Sequence, residues 1–77
     1  MNVYHVEMRL KNPDDPSEDG TYRYGVREVS ADMARRTCVR RAESDGYVVA
    51  GFGPTAAVGK GDGWESFQPL CYGKVVA

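Results

Sequence analysis

The N-terminal thirty residues alternate between apolar and polar side chains, and this pattern constrains the fold more than any other feature of the chain. In residues 2–11 the even positions from Tyr4 to Leu10 are apolar, whereas the odd positions are mostly polar. An acidic interruption follows, and the alternation resumes in residues 21–27. A period of two residues is typical of strands with one buried face and one solvated face. The sequence therefore predicts a β-hairpin with an aromatic inner side and a basic outer side.

The length of the chain indicates a single domain covering residues 1–77. Its composition is that of an ordinary globular protein, with 42% apolar residues, 27% charged residues and a net charge of −1. These values argue against a disordered tail and against a strongly basic nucleic-acid binder. A domain of this size buries only about 60% of the surface of its unfolded chain, so a partner or a second copy would add stability.

The sequence predicts a cytoplasmic protein that does not enter a membrane. No apolar run approaches the roughly 20 residues of a membrane span, and no basic segment followed by an apolar stretch predicts a signal peptide. Two cysteines, Cys38 and Cys71, fit that compartment, since thiols in such a chain are more often reduced and buried than bridged.

One helix is predicted after the hairpin. Residues 11–20 combine acidic side chains with Pro and Gly, which is typical of a hairpin loop. Ser30 is a suitable N-cap, Asp32 complements the dipole of the first turn, and Gly46 is a natural stop. The helix should run over residues 31–45, with a stripe of small residues facing a sheet: Ala31, Ala34, Cys38 and Ala42.

The remaining sequence predicts two more strands. Residues 47–52 read as a strand, residues 53–63 as a long glycine-rich loop, and residues 70–76 as a final strand. The expected fold class is therefore α+β, in the order β-β-α-β-β, with a small antiparallel sheet and one helix packed on one face.

No cofactor or metal is expected. Residues 15–20 match the beginning of a calcium loop, but Val26 stands where the closing Glu is required. Gly51, Gly53 and Ala56 match a dinucleotide fingerprint, yet too few residues follow for the crossover helix and returning strand. Residues 53–60 approach a phosphate-binding loop with the wrong spacing.

Catalysis is not expected either. The single histidine, His5, lies on the predicted solvated face, whereas Cys38 lies on the buried side of the helix, where a thiol behaves as a small apolar group. A metal centre would need more His or Cys ligands at usable spacing.

Basic residues supply the clearest candidate for binding. The alternation places Arg9, Lys11, Arg23 and Arg27 together with His5 on the open side of the sheet, where they could meet phosphates or an acidic protein surface. The tyrosines of the hairpin should face inwards, which argues against stacking of single-stranded bases. On the helix, the spacing allows Arg36 to pair with Asp32 and Arg40 to pair with Glu43.

Two aromatic residues follow the glycine-rich stretch. Trp64 and Phe67 are expected to close the small core, and they would anchor a partner if they were exposed.

Residues 22–36 and 41–49 resemble small accessory proteins of viruses that infect actinobacteria. The resembling segments are Tyr22-Arg-Tyr-Gly-Val-Arg-Glu-Val-Ser-Ala-Asp-Met-Ala-Arg-Arg and Arg41-Ala-Glu-Ser-Asp-Gly-Tyr-Val-Val. The resemblance implies a dispensable bacteriophage protein that binds a host or viral macromolecule, and it assigns no functional residue.

The leading hypothesis is a non-enzymatic module or inhibitor that binds a protein partner through the basic sheet face, the 53–67 segment, or both. The alternative is a nucleic-acid-binding accessory protein that uses Arg9, Arg23 and Arg27, with Arg36 and Arg40 as further contacts. A nucleotide or small-molecule binder acting through residues 51–63 is a third hypothesis. A homodimer is a further hypothesis, because a C-terminal edge strand could pair with the same strand of a second copy across a two-fold axis.

Overall fold

The alternating segments form the two central strands of an antiparallel sheet. The computed structural model describes residues 2–60 and 69–75. Along the chain, the helix and strands are β1 (Asn2–Lys11), β2 (Gly20–Glu28), α1 (Ala31–Ser44), β3 (Val48–Lys60) and β4 (Leu70–Lys74). The strands lie in the order β3-β1-β2-β4, and every neighbouring pair is antiparallel. The predicted α+β class, with one helix and one small antiparallel sheet, is confirmed.

The order of elements along the chain contains one element that was not expected. A 3-10 turn, Pro16–Glu18, stands between β1 and β2. It forms because Asp15 accepts hydrogen bonds from both the backbone nitrogen and the hydroxyl of Ser17, at 3.2 and 2.6 Å. The acidic loop is therefore an ordered turn and not merely a solvated connection.

The core lies between the helix and the inner face of the sheet. The even-numbered residues of the hairpin are buried there, as the alternation predicts: Tyr4, Val6, Met8, Leu10, Tyr22, Tyr24 and Val26. The helix contributes Ala34, Cys38 and Ala42, which are fully buried. Small side chains on α1 leave room for the large side chains of the strands, so the two layers pack closely.

Both ends of α1 follow the sequence prediction. The Ser30 hydroxyl oxygen accepts a hydrogen bond from the backbone nitrogen of Met33 at 3.2 Å, which satisfies one of the unpaired donors of the first turn. Gly46 follows the helix with a φ of 93°, a left-handed conformation that favours glycine. In the part of the chain that the structure describes, no helix combines the length and the apolar character needed to cross a bilayer.

The sequence predicts a loop over residues 53–63, and this prediction is wrong for residues 53–60. They continue β3, which pairs with β1 from Lys11↔Val48 to Asn2↔Lys60 and shifts register at three places. The long central strand β1 supplies a template along its whole length, and β-bulges absorb the irregular residues. Pro54 is tolerated because β3 is an edge strand. Residues 61–63 lie outside the described part of the chain.

The C-terminal strand is shorter than predicted. β4 covers Leu70–Lys74 rather than 70–76, and it pairs with β2 at the other edge of the sheet. Its edge position agrees with the expectation from the sequence.

Candidate functional site

The face of the sheet opposite α1 carries the odd-numbered residues of the hairpin, and we call it the open face. Neither a helix nor a strand among residues 2–60 and 69–75 packs over it. Residues of four strands meet on this face, because residues paired across an antiparallel ladder point to the same side. Those with a bearing on binding are His5, Glu7, Arg9, Lys11, Arg23, Arg27, Pro54, Ala56, Val58, Leu70 and Tyr72.

An aromatic pair occupies the open face between β1 and β4. The rings of His5 and Tyr72 meet edge to face, with their centroids 5.2 Å apart. Gly25 of β2 pairs with His5 on one side and with Leu70 on the other, so β2 carries no side chain between the two rings. A register shift between Arg23 and Tyr24 accompanies the placement of Tyr72 on this face.

Tyr72 is the most prominent side chain of this pair. It remains 49% exposed. Partial burial raises the pKa of its phenol above the ordinary value, so the hydroxyl is a neutral donor at physiological pH. A neutral tyrosine offers a partner both apolar ring surface and one hydrogen-bonding group.

Apolar residues of β3 continue the surface next to His5. A shallow groove of about 230 Å³ is lined by His5, Glu7, Arg23, Pro54, Ala56 and Val58. Val58 is 50% exposed, and Leu70 on the other side of the sheet is 44% exposed. The centre of the open face is therefore aromatic and aliphatic.

Charged residues border this centre on one side. Arg23 donates to Glu7 from two nitrogens, Nη2 at 2.8 Å and Nε at 3.3 Å. Arg9 lies across Gly51 of β3, where a Cβ atom would stand only 2.6 Å from its Nη2. Glycine at this position leaves space for the guanidinium group to lie along the strand.

The predicted basic residues do share one face. Arg9, Lys11 and Arg23 are exposed there, whereas Arg27 is half-buried. The face is nevertheless less basic than expected, because Glu7 lies among these residues and forms the ion pair with Arg23. Trp64 and Phe67 lie outside the described residues, as does the second half of the predicted 53–67 binding segment.

Sequence reasoning missed the apolar centre of this face. Tyr72, Val58 and Leu70 belong to edge strands, and bulges next to Tyr72 and Val58 obscure the period-two pattern. The predicted strand at 70–76 was the signal that could have pointed to Tyr72.

The acidic loop uses its carboxylates internally. Asp19 accepts a hydrogen bond from the backbone nitrogen of Asn12 at 2.8 Å. Glu18 accepts from Asn12 Nδ2 at 3.2 Å and from the Tyr47 hydroxyl at 3.1 Å. Among the residues that the structure describes, no three His, Cys, Asp or Glu side chains are grouped to hold a metal ion.

The glycine-rich motifs have no phosphate-binding geometry. Gly51, Gly53 and Ala56 belong to the continuous strand β3, which extends to Lys60. A dinucleotide fingerprint and a phosphate-binding loop both require a turn that opens a helix, and the chain has a strand at this place.

Both cysteines are free thiols in different surroundings. Cys38 is fully buried under α1, and this burial, with a smaller contribution from Glu28, raises the pKa of its thiol to about 12. Cys71 is exposed on β4.

The ion pairs of α1 are not the two that the sequence suggested as possible. Arg35 pairs with Asp32 at 2.7 Å, and Arg41 pairs with Asp45 at 3.0 Å. Arg41 also donates to the carbonyl of Pro69 at 2.9 Å, which ties the end of the helix to the start of β4. Within the described ranges, Arg36 and Arg40 form no ion pair, so neither Asp32–Arg36 nor Arg40–Glu43, which the spacing allows, is formed.

Comparison with known proteins reveals no relative: no family model, no curated protein and no solved structure shows significant similarity to this chain. The resemblance of residues 22–36 and 41–49 to accessory proteins of actinobacterial viruses stays a prediction.

Proposed function

We propose that this protein acts by binding a protein partner through the open face of its sheet. The observation that carries the proposal is the contact of the half-buried His5 with the exposed Tyr72, set among aliphatic residues of β3 and β4 and bordered by Arg9, Lys11 and Arg23. Protein interfaces typically have an apolar, aromatic centre within a polar rim, and Tyr and Arg dominate their energetic hot spots.

The charges of the face indicate the character of the partner. Arg9 and Lys11 are exposed on one side of the aromatic centre, whereas Glu7 neutralises Arg23 next to it. A partner with an apolar side chain for Tyr72 and carboxylates for Arg9 and Lys11 would complement this arrangement. Binding alone accounts for these features, and the proposal includes no catalytic step.

Nucleic-acid binding is the second candidate. Tyr72 is an exposed aromatic residue on the same face as Arg9, Lys11 and Arg23, which would allow stacking of a base near a phosphate contact. Glu7 disfavours this hypothesis, because its carboxylate lies next to the aromatic centre of the face and would repel phosphates. Pairing of a second copy on this face is a third arrangement, which sedimentation of the purified protein would detect.

The experiment is affinity capture from bacterial lysate with a single-site variant of the open face and a matched control. Tyr72→Glu places a charge at the centre of the face, and Val29→Glu makes a comparable change at a residue that is 65% exposed outside it. Wild type and Val29→Glu should retain the same discrete protein after nuclease treatment, and Tyr72→Glu should lose it.

The captured protein is then purified and titrated directly against the same variants. Equal affinity of Tyr72→Glu and Val29→Glu would exclude the open face as the binding site. Capture that disappears with nuclease, together with direct binding of an oligonucleotide, would favour the second candidate.

A further inference from the structure

A groove separates α1 from the outer strand β3, on the side of the sheet opposite the open face. Its volume is about 380 Å³. It is lined by Asp32, Arg35, Arg36, Val39, Arg40 and Phe52. Phe52 pairs in register with Met8, whose side chain belongs to the core, so Phe52 points towards the helix layer.

Two arginines of this groove form no ion pair with any residue that the structure describes. Arg35 is neutralised by Asp32 at 2.7 Å. Arg36 and Arg40 are exposed, and no ion pair involves either of them in the ranges that the structure covers. They stand four residues apart on the helix, which brings their Cβ atoms to within about 6 Å of each other. The groove therefore presents a pair of guanidinium groups along its length.

An aromatic ring lies beside these charges. Phe52 is 49% exposed, although it lines the groove together with the half-buried Val39. The exposed phenyl ring therefore offers a partner an apolar contact in the same groove as the two charged arginines.

The backbone of β3 adds a third binding element. β3 is the last strand of the sheet order, so its outer edge has no partner strand among residues 2–60 and 69–75. Residues 48–59 contain no charged side chain, although charges are a common protection of an exposed edge. Pro54 and three register shifts interrupt the strand, so the backbone available for pairing is divided into short runs, of which residues 55–57 form the longest in unbroken register with β1.

We propose that an extended acidic protein segment binds at this edge as an additional strand of the sheet. Its backbone pairs with β3, its carboxylates at alternate positions meet Arg36 and Arg40, and an apolar side chain covers Phe52. The spacing supports this arrangement, because alternate residues of a strand project to the same side about 6.7 Å apart, close to the separation of the two arginines. Addition of a strand to a sheet edge is an established mode of peptide recognition, in which the backbone gives affinity and side-chain pockets give specificity.

The arginines of the groove favour an acidic partner. The unpaired backbone edge of β3 favours a polypeptide, because a polypeptide has backbone amides that can pair with a strand. A nucleic acid could satisfy the arginines, but it has no backbone amide to pair with β3. The inference concerns a site distinct from the open face, and it holds whether or not the open face binds a partner.

The test uses short fluorescein-labelled peptides of alternating glutamate and valine, with fluorescence anisotropy as the measurement. A peptide of alternating lysine and valine is the charge control. Two further glutamate–valine peptides carry N-methyl groups, one on every glutamate and the other on every valine. If the peptide adds a strand to β3, only one of the two methylated peptides should lose binding, because only one set of backbone donors faces the edge.

The protein variants separate the arginines of the groove from general charge. Arg36→Glu and Arg40→Glu should each weaken binding of the glutamate–valine peptide by about tenfold or more, as expected for loss of a charge-assisted contact. Lys74→Glu causes the same change of net charge at an exposed residue of β4, the opposite edge strand, and should leave the affinity unchanged. Phe52→Ala should also weaken binding, and Tyr72→Glu should not.

Specific outcomes would overturn the proposal. Equal losses in Lys74→Glu and Arg36→Glu would show that the effect depends only on net charge. Retained binding of both methylated peptides would exclude strand addition, and stronger binding of single-stranded oligonucleotides that displace the peptide would make the groove a nucleic-acid surface. Circular dichroism of every variant tests whether it is folded. The Arg36 and Arg40 variants should fold normally, because both side chains are exposed.

Discussion

The imidazole ring of His5 and the phenol ring of Tyr72 meet edge to face across Gly25, with their centroids 5.2 Å apart. The two residues are 67 positions apart in the chain, on strands that are not neighbours in the sheet. The contact is possible because the intervening strand carries a glycine, and it forms the centre of the open face.

This contact should be measurable as a coupling energy. In a double-mutant cycle of His5→Ala and Tyr72→Ala, the coupling should be about 0.5 kcal/mol, at the low end for aromatic pairs because Tyr72 is half-exposed. Urea denaturation of the four proteins gives this value. Strictly additive losses would show that the rings do not stabilise each other.

Two neighbouring tyrosines of β2 should respond differently to loss of the hydroxyl. The Tyr22 hydroxyl donates to the carbonyl of Glu18 at 2.5 Å. The buried Tyr24 hydroxyl forms no hydrogen bond of good geometry with the residues that the structure describes, and its polar neighbour is the Cys71 thiol, a weak hydrogen-bonding group. Tyr22→Phe should lower the free energy of unfolding by about 1 kcal/mol. Tyr24→Phe should leave it unchanged or raise it, since it removes an unpaired polar group.

Chemical denaturation of the two phenylalanine variants distinguishes these outcomes. A larger loss for Tyr24→Phe than for Tyr22→Phe would contradict the hydrogen-bonding pattern. Burial raises the pKa of the Tyr24 phenol, and Cys71 contributes a smaller part of that effect, so the group is neutral across the pH range of the experiment.

The two thiols should differ in reactivity. Cys71 is exposed and should react with iodoacetamide in the folded protein, whereas the buried Cys38 should react only after unfolding. Mass spectrometry should therefore find one alkylated thiol per folded chain and two per chain in urea. Alkylation of Cys38 at the rate of Cys71 under native conditions would show that α1 does not cover it.

The buried thiol should also make stability depend on pH. Folding raises the Cys38 pKa from the ordinary value of 9.0 to about 12, so the folded state holds the proton over a range where the unfolded state has released it. The contribution is fully present below pH 9.0 and is lost as the pH rises towards 12. Denaturation at several pH values should show a shallower decline in Cys38→Ala than in wild type, and an equal slope would exclude this linkage.

Calcium should have no effect on the acidic loop. Glu18 and Asp19 accept hydrogen bonds from Asn12, and Asp15 caps the 3-10 turn, so these carboxylates already have partners. Millimolar CaCl2 should leave the melting temperature unchanged. This concentration is high enough to occupy even a calcium site of weak affinity, so the absence of a shift would be informative. A rise that Asp15→Asn abolishes would instead establish a calcium site.

Glu18 itself should contribute to stability through the same loop. Its side chain receives hydrogen bonds from Asn12 and Tyr47, which connect the hairpin loop to the segment after the helix. Glu18→Ala should lower the free energy of unfolding by about 1 kcal/mol. The matched control is Asp14→Ala at an exposed residue of the same loop, and equal effects of the two substitutions would contradict a specific role of Glu18.

The fold was predictable where the side-chain pattern is regular. The alternation in β1 and β2 predicts which residues of the hairpin are buried, and the spacing from Ala34 to Ala42 predicts the face of α1 that packs on them. Both patterns arise because the buried face of a helix or strand requires apolar residues at regular spacing, so the spacing of apolar residues identifies that face.

The edges of the sheet and the centre of the candidate site were not predictable in this way. Residues 53–60 contain glycine and proline, which are typical of loops, yet pairing with β1 holds them in a strand. Tyr72 reaches the open face next to a register shift that no local pattern reveals. The partners of Arg35 and Arg41 depend on side-chain rotamers, and the spacing of the helix allowed several pairs.

The interior position of β1 affects the order in which contacts form during folding. Its pairing with β2 closes a short loop, whereas its pairing with β3 brings Asn2 next to Lys60. The entropic cost of closure grows with loop length, and contacts distant in sequence slow folding. The hairpin and α1 can therefore form early from local contacts, and the docking of β3 on β1 should govern the folding rate.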